Sequence, residues 1–197
     1  MDIQTTIPAP LSDRLRTATH PTHELLDQSI MAARPFDGIE NYGRFLRVQH
    51  GIHRDVAPLY RMAALAELFP GLDGRCRLDA VAQDAADLDV ELPAYAEPPA
   101  TDAGRIGIPE ALGWLYVVEG SNLGAAFLLK YAREMGLGES HGARHLAEPP
   151  EGRAAYWRLF KEALNAAPLD DAEEARAIAG AEAAFARTQE LVRLHLG

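Results

Sequence analysis

The chain has 197 residues, of which 48% are hydrophobic and 24% are charged. These are the values of an ordinary globular protein, so they exclude collagen-like, mucin-like and wholly disordered chains. Its formal net charge is −10, with 19 Lys and Arg against 29 Asp and Glu, and this acidity argues against nucleic acid as a partner because phosphate backbones bind to basic surfaces.

The sequence also gives no sign of a membrane or of an oxidising compartment. No run approaches the ~20 consecutive apolar residues that a membrane span needs, and the N-terminal segment lacks the basic start and apolar core of a secretory signal. Cys76 is the single cysteine, so no internal disulfide can form. We therefore expect a cytoplasmic protein without a membrane partner.

Apolar residues recur at intervals of three and four along most of the chain, which predicts an all-α domain. The predicted helices, in chain order, cover residues 11–33, 39–68, 73–88, 109–135 and 151–165, and a C-terminal helix begins among the acidic residues 170–174. Segments rich in turn-forming residues separate them. We expect residues 1–10 to be a flexible tail and residues 11–197 to form a single domain.

The first predicted helix carries the first segment with chemical potential. Seven residues advance a helix by two turns, so Arg16 and His23 lie on one face about 10 Å apart. Such a pair suits a ligand with a metal at one end and a carboxylate at the other, because imidazole binds iron and guanidinium binds carboxylates. Two alternatives stay open: Pro21 either kinks this helix or begins a new one, and His20 lies only about 60° from His23, which makes it a competing ligand.

The predicted helix at 109–135 contains three glycines, at 113, 120 and 124. Each interior glycine costs about 1 kcal/mol relative to alanine, so some other interaction should compensate. On an ideal helix the three lie within about 40° of one another, which makes a strip of bare backbone against which a flat molecule can lie and also favours a kink. The alternative is close packing of another helix against these small residues. The side chains that flank the strip are Tyr116, Val117 and Phe127.

Together the two segments resemble the heme oxygenases, in particular the bacterial subfamily associated with phytochrome photoreceptors. The resemblance is strongest over residues 18–24 and 116–127 and extends from about residue 11 to residue 194. It implies a single helical domain in which heme lies between a proximal helix and a kinked, glycine-rich distal helix. It also implies that O₂ and electrons from a separate reductase or ferredoxin convert heme, both substrate and cofactor, into biliverdin, carbon monoxide and ferrous iron. The biliverdin is expected to supply a phytochrome.

The resemblance further assigns roles to individual residues. His23 corresponds to the proximal iron ligand, and Gly120 and Gly124 correspond to the catalytic backbone of the distal helix. The residues expected at the heme propionates are Arg16, Tyr116 and Lys161, and those expected to line the rest of the pocket are Val117, Ser121, Phe127 and Phe185. The combination of Arg16 with Tyr116 resembles the arrangement expected for cleavage at the α-meso carbon.

Glu119 departs from the family pattern, because animal members carry a distal aspartate in this region. On an ideal helix its side chain points away from the glycine strip. Its role therefore stays undecided at the level of sequence.

Other chemically reactive residues fit no site. His50 and His53 are interpreted as surface or packing residues, since the Glu-x-x-His motif of di-iron bundles is absent from the sequence. His141 and His145 lie in a glycine-rich segment and are predicted to be solvated. Cys76, between two arginines, is a candidate for a lowered thiol pKa.

Two other functions remain open from the sequence. A non-catalytic heme carrier or sensor of the same fold would share His23 and differ only in turnover. A helical interaction protein would bind no heme at all.

Overall fold

The structure is a computed structural model that describes residues 9–102 and 104–197. The predicted N-terminal tail therefore lies outside the described residues except for its last two positions. In the described part of the chain seven α-helices dominate, and the only β-type pairing there consists of isolated bridges at Gly138. The helices are α1 (Leu11–Ala32), α2 (Ile39–Val56), α3 (Ala63–Leu68), α4 (Leu78–Asp87), α5 (Ile108–Glu134), α6 (Arg153–Asn165) and α7 (Asp171–His195). The predicted all-α fold is confirmed.

The first helix passes through Pro21 without ending. Proline removes one backbone hydrogen bond, but the helix continues to Ala32 and no new helix begins at this position. Arg16 and His23 thus belong to one continuous helix, which keeps both on the same face.

The predicted helix at 39–68 is wrong in its second half. Helix α2 ends at Val56, a 3₁₀ turn spans Ala57–Arg61, and α3 follows as a separate short helix. Pro58 has no N–H to donate and its ring crowds the preceding turn, so the α-helix cannot continue through it. The apolar periodicity persists because Leu59 and Leu65 are buried in the same core.

Helix α5 lies at the centre of the fold and packs most extensively against α7. The two helices cross with their backbones in contact: a Cβ on Gly113 would overlap the backbone of Ala177 and Ala181, and one on Gly180 would overlap the backbone of Glu110. At Gly113 the alternative of close packing by another helix is therefore the correct one. Its direction around the helix is similar to that of Gly120 and Gly124, but it lies roughly 10 Å and 16 Å before them along the axis, where α7 crosses.

The central position of α5 also explains its composition. By length and composition alone this helix would be able to cross a membrane, with a mean hydropathy of 1.3 over 18 residues, half of which are buried inside the protein. A helix surrounded by others needs apolar residues on most of its sides. The apolar character of α5 is thus weak evidence for a membrane span.

Helices α1 and α5 pack mainly against α7 and have little direct contact with each other. Phe185 of α7 is buried, and its ring meets that of His23 on α1. Because both helices pack on α7 and hardly touch each other, we refer to the space between α1 and α5 over α7 as the cleft.

Candidate functional site

The imidazole of His23 is 56% exposed, in contrast to a histidine that packs in a core. Its Nδ1 lies 3.2 Å from Oδ2 of Asp27, one turn further along α1. Metal-binding histidines commonly have a carboxylate beside the ring nitrogen that does not bind the metal, and this neighbour orients the ring. The ring edge also contacts Phe185 at a centroid distance of 5.9 Å. An exposed imidazole with a defined orientation fits an iron ligand.

His20, the competing ligand, has different surroundings. Its Nε2 lies 3.4 Å from Oε1 of Glu24, and its side chain is largely exposed. It lines an open groove of about 500 Å³ on the surface of α1 together with Asp13, Arg16, Thr17 and Pro21. Because His23 and not His20 meets α7, the geometry favours His23.

Beyond its crossing with α7, one face of α5 is bare and apolar. No atom lies within 4 Å of the position that a Cβ on Gly124 would take. Leu123 and Phe127 beside it are exposed, Phe127 to 72%. One turn earlier, Gly120 faces the ring of Trp157, whose nearest atom would lie 3.4 Å from a Cβ. The open backbone is therefore centred on Gly124, in surroundings that suit a flat apolar ligand.

The other two predicted contacts on α5 are less available. Val117 is partly buried and packs against the core. Ser121 is exposed, but its hydroxyl donates a hydrogen bond of 2.7 Å to the carbonyl of Val118 in its own helix. The hydroxyl proton of Ser121 is therefore used within α5 and is not directed at a ligand.

Arg16 and Tyr116 are neighbours on opposite sides of the cleft. Burial raises the pKa of the Tyr116 phenol, and the nearby charge of Arg16 opposes that rise. The Tyr116 ring packs against Trp157 at 5.5 Å, and Lys161 lies one turn beyond Trp157 on α6. A carboxylate placed at this end of the cleft would meet a guanidinium and a phenolic hydroxyl together.

Glu119 is buried on the opposite side of α5, as the helical pattern predicts. Its carboxylate accepts hydrogen bonds from the hydroxyl of Tyr60 at 2.8 Å and from Nη1 of Arg75 at 3.0 Å. Burial raises the pKa of Glu119, while these two donors lower it. Arg75 also lies over the ring of Tyr156, 3.7 Å from its centroid. Glu119 thus links α5 to the turns that follow α2 and, through Arg75, to α6.

Two interpretations of reactive residues are wrong. His145 is buried and its Nδ1 lies 2.8 Å from Oδ2 of Asp84, which also accepts a hydrogen bond from the backbone N–H of His145. The glycine-rich segment folds over α4, so this histidine packs in the core while His141 is exposed. Burial raises the pKa of the Cys76 thiol, which outweighs the effect of nearby positive charge.

The residue that sequence reasoning missed at the cleft is Trp157. Its ring contacts both Tyr116 and the face of Gly120. The sequence did contain a signal for it. Trp157 precedes Lys161, an expected propionate contact, by four residues, so both side chains lie on one face of α6.

We compared the sequence and the structure with those of known proteins. Residues 9–194 match the family model described as heme oxygenase. The chain is 44% identical to heme oxygenase PigA of Pseudomonas aeruginosa over 181 residues, which is 92% of this chain and 90% of that protein. It is 36% identical over 117 residues to a heme oxygenase of Xanthomonas campestris, covering 59% of this chain and 67% of that one. The crystal structure of the NO- and CO-bound heme oxygenase from Neisseria meningitidis superposes with a TM-score of 0.90 at 41% identity, covering 96% of this chain and 94% of that chain.

Proposed function

Because this chain belongs to the heme oxygenase family, we propose that the cleft between α1 and α5 is where it binds and cleaves heme. The chain is an enzyme that uses heme and O₂, as the family does. The observation that supports the placement is an exposed imidazole, His23, with Asp27 3.2 Å from its Nδ1, together with the uncovered backbone of Gly124 on α5.

Each wall of the cleft has a defined task in this proposal. Bound heme supplies both the iron at which O₂ is activated and the carbon ring that is oxidised. His23 would hold the iron through its imidazole, and Asp27 beside Nδ1 would orient the ring. Leu123 and Phe127 cover the apolar ring and exclude water from it. The absence of a side chain at Gly124 leaves room for O₂ between the ring and the helix.

Glu119 is held away from this reaction. Its carboxylate is engaged by Tyr60 and Arg75 behind α5, so it does not donate a proton directly at the glycine face. Water bound to backbone groups of α5 is the remaining route for proton delivery.

The residues at the carboxylate-binding end of the cleft bear on which meso carbon of the porphyrin is cleaved. Arg16 and Tyr116 attract the propionates, with Lys161 as a further cation on α6, and this places the propionate edge of the heme at this end of the cleft. We propose that the product is the α-isomer of biliverdin. Identifying the isomer by chromatography tests this, and a predominance of any other isomer contradicts it.

The partners and the compartment are proposed on chemical grounds. A separate reductase or ferredoxin supplies the electrons, and the biliverdin passes to a phytochrome. A reducing compartment agrees with the single thiol, Cys76, and we propose the cytoplasm. The transfer of biliverdin is tested by mixing the reacting enzyme with a phytochrome and measuring covalent attachment of the bilin to it.

Hemin titration followed by reduction tests the proposed function. The free protein should shift the Soret band of added hemin at one equivalent. When ascorbate or a reductase is then supplied in air, the Soret band should disappear and biliverdin should be released. Persistence of intact bound heme would favour the carrier or sensor, and an unchanged hemin spectrum would leave only an interaction protein.

A further inference from the structure

Trp157 closes the glycine face of α5 on one side only. Its ring lies in van der Waals distance of the position that a Cβ on Gly120 would take, whereas nothing approaches the equivalent position at Gly124. A flat ligand lying on this face therefore has free backbone around Gly124 and meets an indole ring one turn earlier.

The indole is held in place by a stack of aromatic rings. Trp157 lies almost parallel to Phe160, at 5.5 Å and 11°, and Phe160 lies almost parallel to Phe69, at 4.8 Å and 15°. Phe69 and Phe160 are buried, and the guanidinium of Arg75 lies 5.9 Å from the Phe160 ring centroid. A change of rotamer at the partly buried Trp157 would lose this stacking on the buried rings, so the indole forms a well-defined wall.

This wall stands at the end of the cleft that binds carboxylates. Tyr116 packs against Trp157 at 5.5 Å, and the charge of Arg16 reaches Tyr116. Polar contacts of this kind can attract a propionate but leave the ring free to slide or turn by a small amount. A rigid apolar surface beside them removes that freedom.

We propose that Trp157 is a specificity-determining residue, which acts as a steric stop for the porphyrin edge and thereby selects the meso carbon that is oxidised. The proposal rests on the heme site assigned above. It differs from the propionate contacts because it sets the position of the ring through shape rather than charge.

The test replaces Trp157 with Ala and with Phe and compares two readouts with the unmodified protein. Proton NMR of the cyanide-bound ferric complex reports through the heme-methyl resonances how the heme is seated, without turnover. Chromatography of the bilin reports the isomer ratio. Leu159→Ala is the matched control, because Leu159 is an exposed side chain about 200° around α6 from Trp157.

For Trp157→Ala we expect shifted or doubled heme-methyl resonances and a fall of about tenfold in the ratio of the main isomer to the others, equivalent to ~1.4 kcal/mol. Trp157→Phe retains a shorter ring in the stack and should show a smaller change, and Leu159→Ala should match the unmodified protein. Unchanged resonances together with an unchanged isomer ratio would overturn the proposal while heme cleavage itself stands. If the Ala variant does not fold, the Phe variant decides by the same criteria. A failure of the unmodified protein to bind hemin would instead refute the proposed function.

Discussion

Three histidines of this chain show how surroundings separate a candidate ligand from a core residue. The ring of His23 is half exposed and lies beside Asp27, whereas His53 and His145 are buried. Burial lowers the pKa of both buried histidines, which favours their neutral form. Sequence spacing distinguished His23 only through its neighbours in the motif, because nothing local to His145 indicates that Asp84 will lie against it.

His23→Ala should abolish bilin formation while the helical circular dichroism stays unchanged, because an exposed side chain contributes little to the core. Absorption after hemin addition and bilin release under reducing conditions measure the effect. His20→Ala is the matched control on the same helix, and it should retain turnover. The reverse result, an active His23 variant beside an inactive His20 variant, would reassign the iron ligand.

Arg75→Met should destabilise the protein by about 3–5 kcal/mol, because it leaves the buried Glu119 carboxylate without its cation. Urea denaturation gives the free energy of unfolding. Arg158→Met removes the exposed pair with Glu162 and should cost at most about 0.5 kcal/mol. Equal losses in the two variants would show that the buried pair has no special weight.

At the scale of elements, helices were predictable where an apolar stripe is bounded by turn residues, as for α1 and α5. The single helix predicted at 39–68 was wrong because the apolar stripe continues past the end of α2 near Pro58. The 3₁₀ turn and α3 that follow contribute apolar residues to the same core as α2. The glycines of α5 show a second limit. Periodicity gives the direction of Gly113 and Gly124 around the helix, but only the packing of α7 separates a helix crossing from an open face.

Alanine at these two glycines should have opposite effects on stability. Gly113→Ala places a methyl group into the backbone of α7 and should destabilise the protein by at least about 1–3 kcal/mol. Gly124→Ala meets nothing within 4 Å and should stabilise it by about 0.5–1 kcal/mol through helix propensity. Thermal and urea unfolding measure both. Similar effects at the two sites would contradict the assigned crossing.

At the scale of the whole molecule, the buried histidines should make stability depend on pH. Burial, aided by the charge of Arg77, lowers the pKa of His53 to about 3. Below about pH 6.5 the unfolded chain therefore binds a proton at His53 that the folded state does not bind. In this range the free energy of unfolding falls by about 1.4 kcal/mol for each unit by which the pH is lowered. Above that pH this contribution is constant.

Urea denaturation near pH 7 and about pH 5 tests this dependence. His53→Gln cannot titrate, so its loss between the two conditions should be smaller than that of the unmodified protein by about 2 kcal/mol. Parallel losses in the two proteins would mean that His53 does not contribute.

The site as a whole was predictable to the extent that it is local in sequence. His23 and Arg16 share one helix, and the glycines, Tyr116 and Phe127 share another, so two short segments carry most of it. Trp157 and the floor residue Phe185 come from helices far along the chain. Phe185 was named through a family resemblance, and Trp157 had no such support, because its place beside Gly120 depends on how α6 packs.

The uncovered face around Phe127 affects how the protein behaves in solution before a ligand binds. A chain that presents a bare aromatic ring and Leu123 to solvent has an apolar surface that favours self-association when no ligand covers it. Its strong negative charge keeps copies apart in the meantime. If heme covers this face as proposed, added hemin should therefore reduce aggregation of the protein in concentrated solution.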